Sequence, residues 1–145
     1  MINFKIILNV LGYLLVALSI LLIVPIIIDL ISGNDSWKSF LISLIITLGF
    51  GVTFLLSTRN ELKNNIVTQD AFLITTLSWI FISIFGALPF FFLDSSLSLT
   101  NSIFESMSGI TTTGSTIFNE VENLPQGILI WRSILQWVGG VGIIV

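Results

Sequence analysis

Apolar residues in this chain come in long unbroken runs, not in the one-sided or alternating patterns of a soluble fold. No charged residue occurs from Ile6 to Ile28, from Ser39 to Thr58 or from Ala71 to Leu93, and Gly127 to Val145 carries Arg132 as its only charge. A helix needs about 20 mostly apolar residues to cross roughly 30 Å of hydrocarbon. The pattern therefore predicts three complete membrane spans and a fourth. The fourth run ends in Val141-Gly142-Ile143-Ile144-Val145 with no polar flank, which reads as a fragment cut inside a membrane helix. The first run is longer than the apolar core of a signal peptide, about 7–15 residues, and reads as a retained span. Pro25, near its end, marks a kink or the outer boundary.

The link between the third and fourth runs, residues 94–126, is too long for an ordinary structureless loop. Leu99, Ile103, Phe104, Met107 and Ile110 recur mostly at three- and four-residue steps and predict a helix over Leu99 to Ile110. At about 1.5 Å per residue it reaches about 18 Å, too short to span. Such a helix dips into the bilayer and returns, and irregular backbone at that depth is tolerated only inside protein or beside water. Thr111, Thr112, Thr113, Gly114, Ser115 and Thr116 follow directly. β-Branched threonine disfavours continuing the helix, and Gly114 admits positive φ. An extended strand there presents successive carbonyl oxygens to one axis, the chemistry that replaces the water shell of a monovalent cation. The C-terminal end of the short helix, with its partial negative charge, points at that path. A plain polar turn between helices is the competing reading. The predicted fold class is an all-α integral membrane protein with one re-entrant pore helix and an extended filter segment.

Composition narrows the chemistry. Charged residues make up 9% and apolar residues 54%, against about 25% charged in soluble domains, so membrane lipid is the first partner. The net charge of −3 offers no footprint for nucleic acid. Absence of Cys and His removes thiol nucleophiles, disulfides, His-ligated zinc and histidine-based triads. Ser106 and Ser108 have no His or Lys partner for proteolysis, and no enzymatic cofactor is implied. Lys5, Arg59 and Lys63 place the N-terminus and residues 59–70 in the cytoplasm by the positive-inside rule. The segment with Asp94, Glu105, Glu120 and Glu122, and the link near Asp29, Asp35 and Lys38, then face outward.

Several residues carry two readings. Glu105 either serves the filter, by tuning cation occupancy or holding its backbone, or closes a capping box with Ser102 as N-cap. Arg132 snorkels to the outer interface or pairs with Glu120, Glu122 or Glu105. Gly139, Gly140 and Gly142 permit close helix packing. Trp131 and Trp137 read as packing or anchoring residues, and Trp37 fits an interfacial belt. The Asn34-Asp35-Ser36 glycosylation pattern is too short to carry weight.

The run Phe104-Glu105-Ser106-Met107-Ser108-Gly109-Ile110-Thr111-Thr112-Thr113-Gly114-Ser115-Thr116 closely resembles the first pore loop of the Trk/Ktr/HKT potassium transporter superfamily. Leu124-Pro125, Trp131-Arg132-Ser133 and Leu135 to Val145 resemble the helix that follows it in the TrkH/TrkG branch. The resemblance implies four helix–pore loop–helix repeats in one chain. Residues 1–58 are then two extra N-terminal helices, 59–70 a cytoplasmic loop, and 71–145 the first repeat. It implies potassium as the transported ion, with the backbone carbonyls of Thr111, Thr112, Thr113 and Gly114 as ligands. It also implies a bacterial inner (plasma) membrane location, a homodimer of the full-length protein, and a cytosolic nucleotide-binding regulatory subunit. One glycine after three threonines departs from the Thr-Val-Gly-Tyr-Gly filter of potassium channels, and selectivity is expected to be weaker. A structural or adaptor helix bundle without transport is the alternative. It explains the spans but not the half-length helix ending in three threonines and a glycine.

Overall fold

The computed structural model describes residues 3–58, 68–93 and 97–144. Arg59, Lys63 and Asp94, used above for orientation, lie outside the described residues. The elements are α1 (Phe4–Leu21), α2 (Ile23–Ser32), α3 (Trp37–Thr58), α4 (Thr68–Leu93), α5 (Leu99–Ile110) and α6 (Gln126–Ile144), with a short 3₁₀ turn at Val121–Asn123 before α6. No strand occurs among the described residues. The short helix α5 has the bounds that its periodicity predicts.

The first apolar run divides at Leu22 into α1 and α2. Pro25 is the cause: it has no N–H for the carbonyl of Leu21, and its ring crowds that oxygen. Gly33, at φ 71°, closes α2 in the left-handed region. The link between α2 and α3 therefore begins at Gly33. Asp29, read from the sequence as a link residue, instead lies inside α2 and is fully buried.

Phe4–Ser32, Trp37–Thr58 and Thr68–Leu93 are long and apolar enough to cross a membrane. The fourth predicted run forms α6, a helix of 19 residues with Arg132 as its only charge. Only 22–33% of the residues in an apolar 18-residue stretch of each of the three spans are buried within the chain, and apolar side chains such as Ile31, Phe72 and Leu56 face outward. Helices apolar on all sides belong in lipid or against further protein. Hydroxyls inside the spans cost little, since Ser43 and Thr47 donate to the carbonyls of Ser39 and Ser43 one turn back.

α1 packs on α3 and α4, and α2 on α3 and α6. α1 and α3 cross where Gly12 meets Gly51: a Cβ on either would stand 3.1–3.2 Å from the other's carbonyl oxygen. α5 is wedged between α4 and α6. The core joins Leu15 and Leu18 of α1 and Leu22 after it to Phe40, Phe85 and Phe90 of α3 and α4, and to Ile128, Trp131 and Leu135 of α6.

The apolar stripe of α5 is not its buried face: Leu99, Phe104 and Met107 are exposed, whereas Ser102, Glu105, Ser106 and Ser108 are buried. Only Ile110 of the stripe enters the core. Small hydroxyl side chains let α5 lie close against its neighbours, while the bulky apolar ones face away from the bundle.

Candidate functional site

The site begins with the start of α5. Ser98 is the N-cap, and its hydroxyl accepts from the backbone N–H of Asn101 at 3.1 Å. The capping box proposed for Ser102 and Glu105 is therefore absent. Ser102 lies one turn inside the helix and donates to the carbonyl of Ser98, which leaves Glu105 free for another task.

The other end of α5 closes in a two-bond helix-terminating turn. Thr112 N–H donates to Gly109 O at 2.9 Å, and Thr113 N–H to Ser108 O at 3.0 Å. The position that normally holds glycine in this turn is Thr112, at φ 58°. A β-branched residue there is a genuine outlier. Two hydroxyls nearby secure it: Thr111 Oγ1 donates to Met107 O at 2.8 Å and lies 2.8 Å from Thr113 Oγ1. Thr111 and Thr112 thus form a turn, and the predicted extended segment has no helix or strand pairing only from Thr113 onward. Gly114 has the positive φ expected of it, 77°. A Cβ at Gly114 would meet only Gln136 Nε2, at 4.0 Å, so that position is conformationally demanding but not crowded.

Among the described residues, the carbonyls of Thr111, Thr112, Thr113 and Gly114 accept no hydrogen bond. The next carbonyl does: Ser108 Oγ donates to Ser115 O at 2.6 Å. The segment is therefore tied to α5 immediately after Gly114, and four successive carbonyls before that tie are left without donors among the described residues.

Glu105 provides the second tie. Its carboxylate, almost fully buried, receives the N–H of Ile117 at 3.0 Å and the hydroxyl of Thr116 at 3.1 Å to each oxygen. Arg132 of α6 donates Nε to Glu105 Oε1 at 2.7 Å. Of the three partners considered for Arg132, Glu105 is the one it takes. All of this occupies the carboxylate, so Glu105 holds backbone and does not face an ion. A cavity of about 370 Å³ beside this network is lined by Glu105, Ser108, Gly114, Ser115, Arg132 and Gln136, among others.

α6 fits against α5 through Gly139, where any Cβ would overlap the carbonyl of Ile110. Gly140 and Gly142 make no such approach. Trp131 is buried and donates Nε1 to Gly86 O of α4 at 2.9 Å; Trp137 is exposed. Ser108 and Thr116 were not singled out from the sequence as functional, nor was Asp29. Their hydroxyl or carboxyl chemistry gives no signal until the fold pairs them.

A half-length helix held between two longer apolar ones, in a bundle that is apolar on its outside, defines a multi-pass membrane protein with a re-entrant segment. Residues 36–145 match the family model described as TrkH, cation transport protein, and the chain belongs to that family. It is 40% identical over 144 residues to the Trk system potassium uptake protein TrkH of Halomonas elongata, covering 99% of this chain and 30% of that protein. It is 37% identical to the protein of the same name from Escherichia coli, with the same coverage. The crystal structure of the potassium transporter TrkH from Vibrio parahaemolyticus superposes with a TM-score of 0.92 at 33% identity, over 99% of this chain and 31% of that one. The chain thus spans about a third of the length of the relatives it matches.

Proposed function

We propose that this chain forms the first pore unit of a potassium uptake transporter of the bacterial plasma membrane. Residues 71–145 are one of four helix–pore loop–helix repeats, residues 1–58 are two additional helices, and residues 59–70 connect them on the cytoplasmic side. The carbonyls of Thr111, Thr112, Thr113 and Gly114 contribute one of four segments around a dehydrated potassium ion. The observation that carries this reading is the set of four successive carbonyls without a protein donor, fixed at both flanks by the α5 terminal turn and by Ser108 and Glu105. An unpaired carbonyl at membrane depth is costly, and a bare cation is the partner that removes that cost. The names of the relatives support potassium as the ion. A homodimer of the full-length protein and a cytosolic nucleotide-binding regulatory subunit belong to the same reading.

The test is Gly114→Ser in the complete transporter. A Cβ at φ 77° costs on the order of 1 kcal/mol or more, and open space around it removes steric overlap as a second cause. The substitution should leave the protein folded and lower the ratio of rubidium to sodium uptake. Thr112→Ser, which keeps both a Cβ and a hydroxyl, should change that ratio much less. An unchanged ratio in Gly114→Ser at equal membrane abundance removes this segment from the ion path.

A further inference from the structure

We propose that Asp29, in the N-terminal helices, is a positioning residue for the ion path, acting through α6. This rests on the function proposed above. Asp29 is fully buried and its partners come from two elements. Its Oδ1 accepts the backbone N–H of Gly127 at 2.7 Å, and its Oδ2 accepts the hydroxyl of Ser36 at 2.6 Å. Asn34 Nδ2 stands 3.5 Å from Oδ1. No Lys or Arg pairs with it among the described residues.

Gly127 is the second residue of α6. Its N–H is one of the unsatisfied donors of a helix start, where negative charge is favoured. A buried carboxylate without a cation is expensive, and here the helix start and two side-chain donors replace the missing counter-charge. The fit is close: any Cβ on Gly127 would overlap the carboxylate. A second bond beside it, from Ser32 Oγ to Gln126 Oε1 at 2.7 Å, joins the same two elements. The start of α6 is therefore anchored to α2, in addition to the bonds that α6 makes further along to its own repeat.

That position is transmitted along a rigid helix. Arg132 lies five residues beyond Gly127, about 7.5 Å along the axis, and meets Glu105, which holds Thr116 and Ile117. Release of the α6 start lets Arg132 move relative to Glu105 and loosens the segment beside the four free carbonyls. The helices outside the repeat thereby set the geometry inside it.

The experiment uses the complete transporter with Asp29→Ala, Asp29→Asn, Gly127→Ala and the double variant Asp29→Ala/Gly127→Ala. Rubidium and sodium uptake are measured at equal membrane abundance, with KM separated from maximal rate and thermal stability measured alongside. Outer partners of cation ligands typically change affinity by about tenfold or more; acting at one further remove, Asp29→Ala should raise the rubidium KM by about threefold to tenfold and lower the rubidium-to-sodium ratio. Asp29→Asn keeps an oxygen for Gly127 and should recover most of the loss. The double variant should be no worse than Gly127→Ala, because the overlap is with the carboxylate itself. If Asp29→Ala does not accumulate, Asp29→Ser gives the same reading. A fall in thermal stability with unchanged KM and ratio overturns the proposal, as does additivity in the double variant. If Gly114→Ser changes the ratio and the Asp29 variants do not, this inference falls alone; if none of them changes it, the filter reading falls as well.

Discussion

Glu105 and Arg132 show how one residue's role depends on what lies around it. Glu105 is almost entirely removed from solvent and its partner is about one-fifth exposed. Exposed ion pairs contribute little, but removing one member of a buried pair typically costs about 3–5 kcal/mol, because the other charge is stranded. Arg132→Gln should therefore be the more damaging change, leaving a buried carboxylate without a cation. Glu105→Gln keeps an oxygen for Ile117 N–H and leaves an arginine that can still reach water. The double change to two glutamines should recover part of the loss. Thermal unfolding of the four proteins checks this as a double-mutant cycle, with a coupling of about 1–3 kcal/mol expected. The exposed pair of Lys38 and Asp35, at 2.7 Å, is the contrast. Lys38 holds the Asp35 carboxyl below its ordinary range, first by hydrogen bond and then by charge. Any stability from it would be present above the ordinary carboxylate pKa and lost as pH falls through the lowered one, but full exposure makes that contribution negligible.

Among the elements, the decisive contact is α6 against the end of α5. A Cβ at Gly139 would overlap backbone, the carbonyl and Cα of Ile110, which cannot move aside as a side chain can. Gly139→Ala should push α6 from the helix that ends at the free carbonyls, and uptake in the complete transporter should fall at least tenfold while the protein still reaches the membrane. Its neighbour is the control. At Gly140 a Cβ would meet only Thr112 Cγ2 at 3.9 Å, an ordinary contact. Gly140→Ala should keep near-normal uptake, and equal losses in the two variants would mean that close approach is not what Gly139 provides. Both glycines read alike in the sequence, since a glycine does not disclose what faces it.

For the whole molecule, charge predicts the orientation: Arg59 and Lys63 toward the cytoplasm, Glu120 and Glu122 outside. The native chain has no cysteine, so single cysteines report cleanly. A cysteine at Asn119 should react with an impermeant thiol reagent on intact cells, and one at Asn64 should not. The reverse pattern would turn the free carbonyls of Thr111 to Gly114 toward the cytoplasm and overturn uptake through an outward-facing filter.

Hydrophobic runs and a short amphipathic stretch were enough to establish from the chain alone that it is helical, that it belongs in a membrane and that α5 is a half-length helix at Leu99–Ile110. These features are local: span length and periodicity are written in consecutive residues. The pore-loop run also carried the family resemblance, because it too is contiguous. The buried face of α5 was not legible, since periodicity reveals that a helix has two faces but not, in lipid, which one turns inward. Ser102 offered a capping box because Glu105 stands three residues on, whereas the actual cap, Ser98, has Asn101 at that place and no such signature. The pairing of Glu105 with Arg132, of Ser108 with Ser115 and of Asp29 with Gly127 joins residues up to 98 positions apart. Only the packing of α2, α5 and α6 brings those groups within hydrogen-bond reach, and a carboxylate's partner is determined by distance in space, not along the chain.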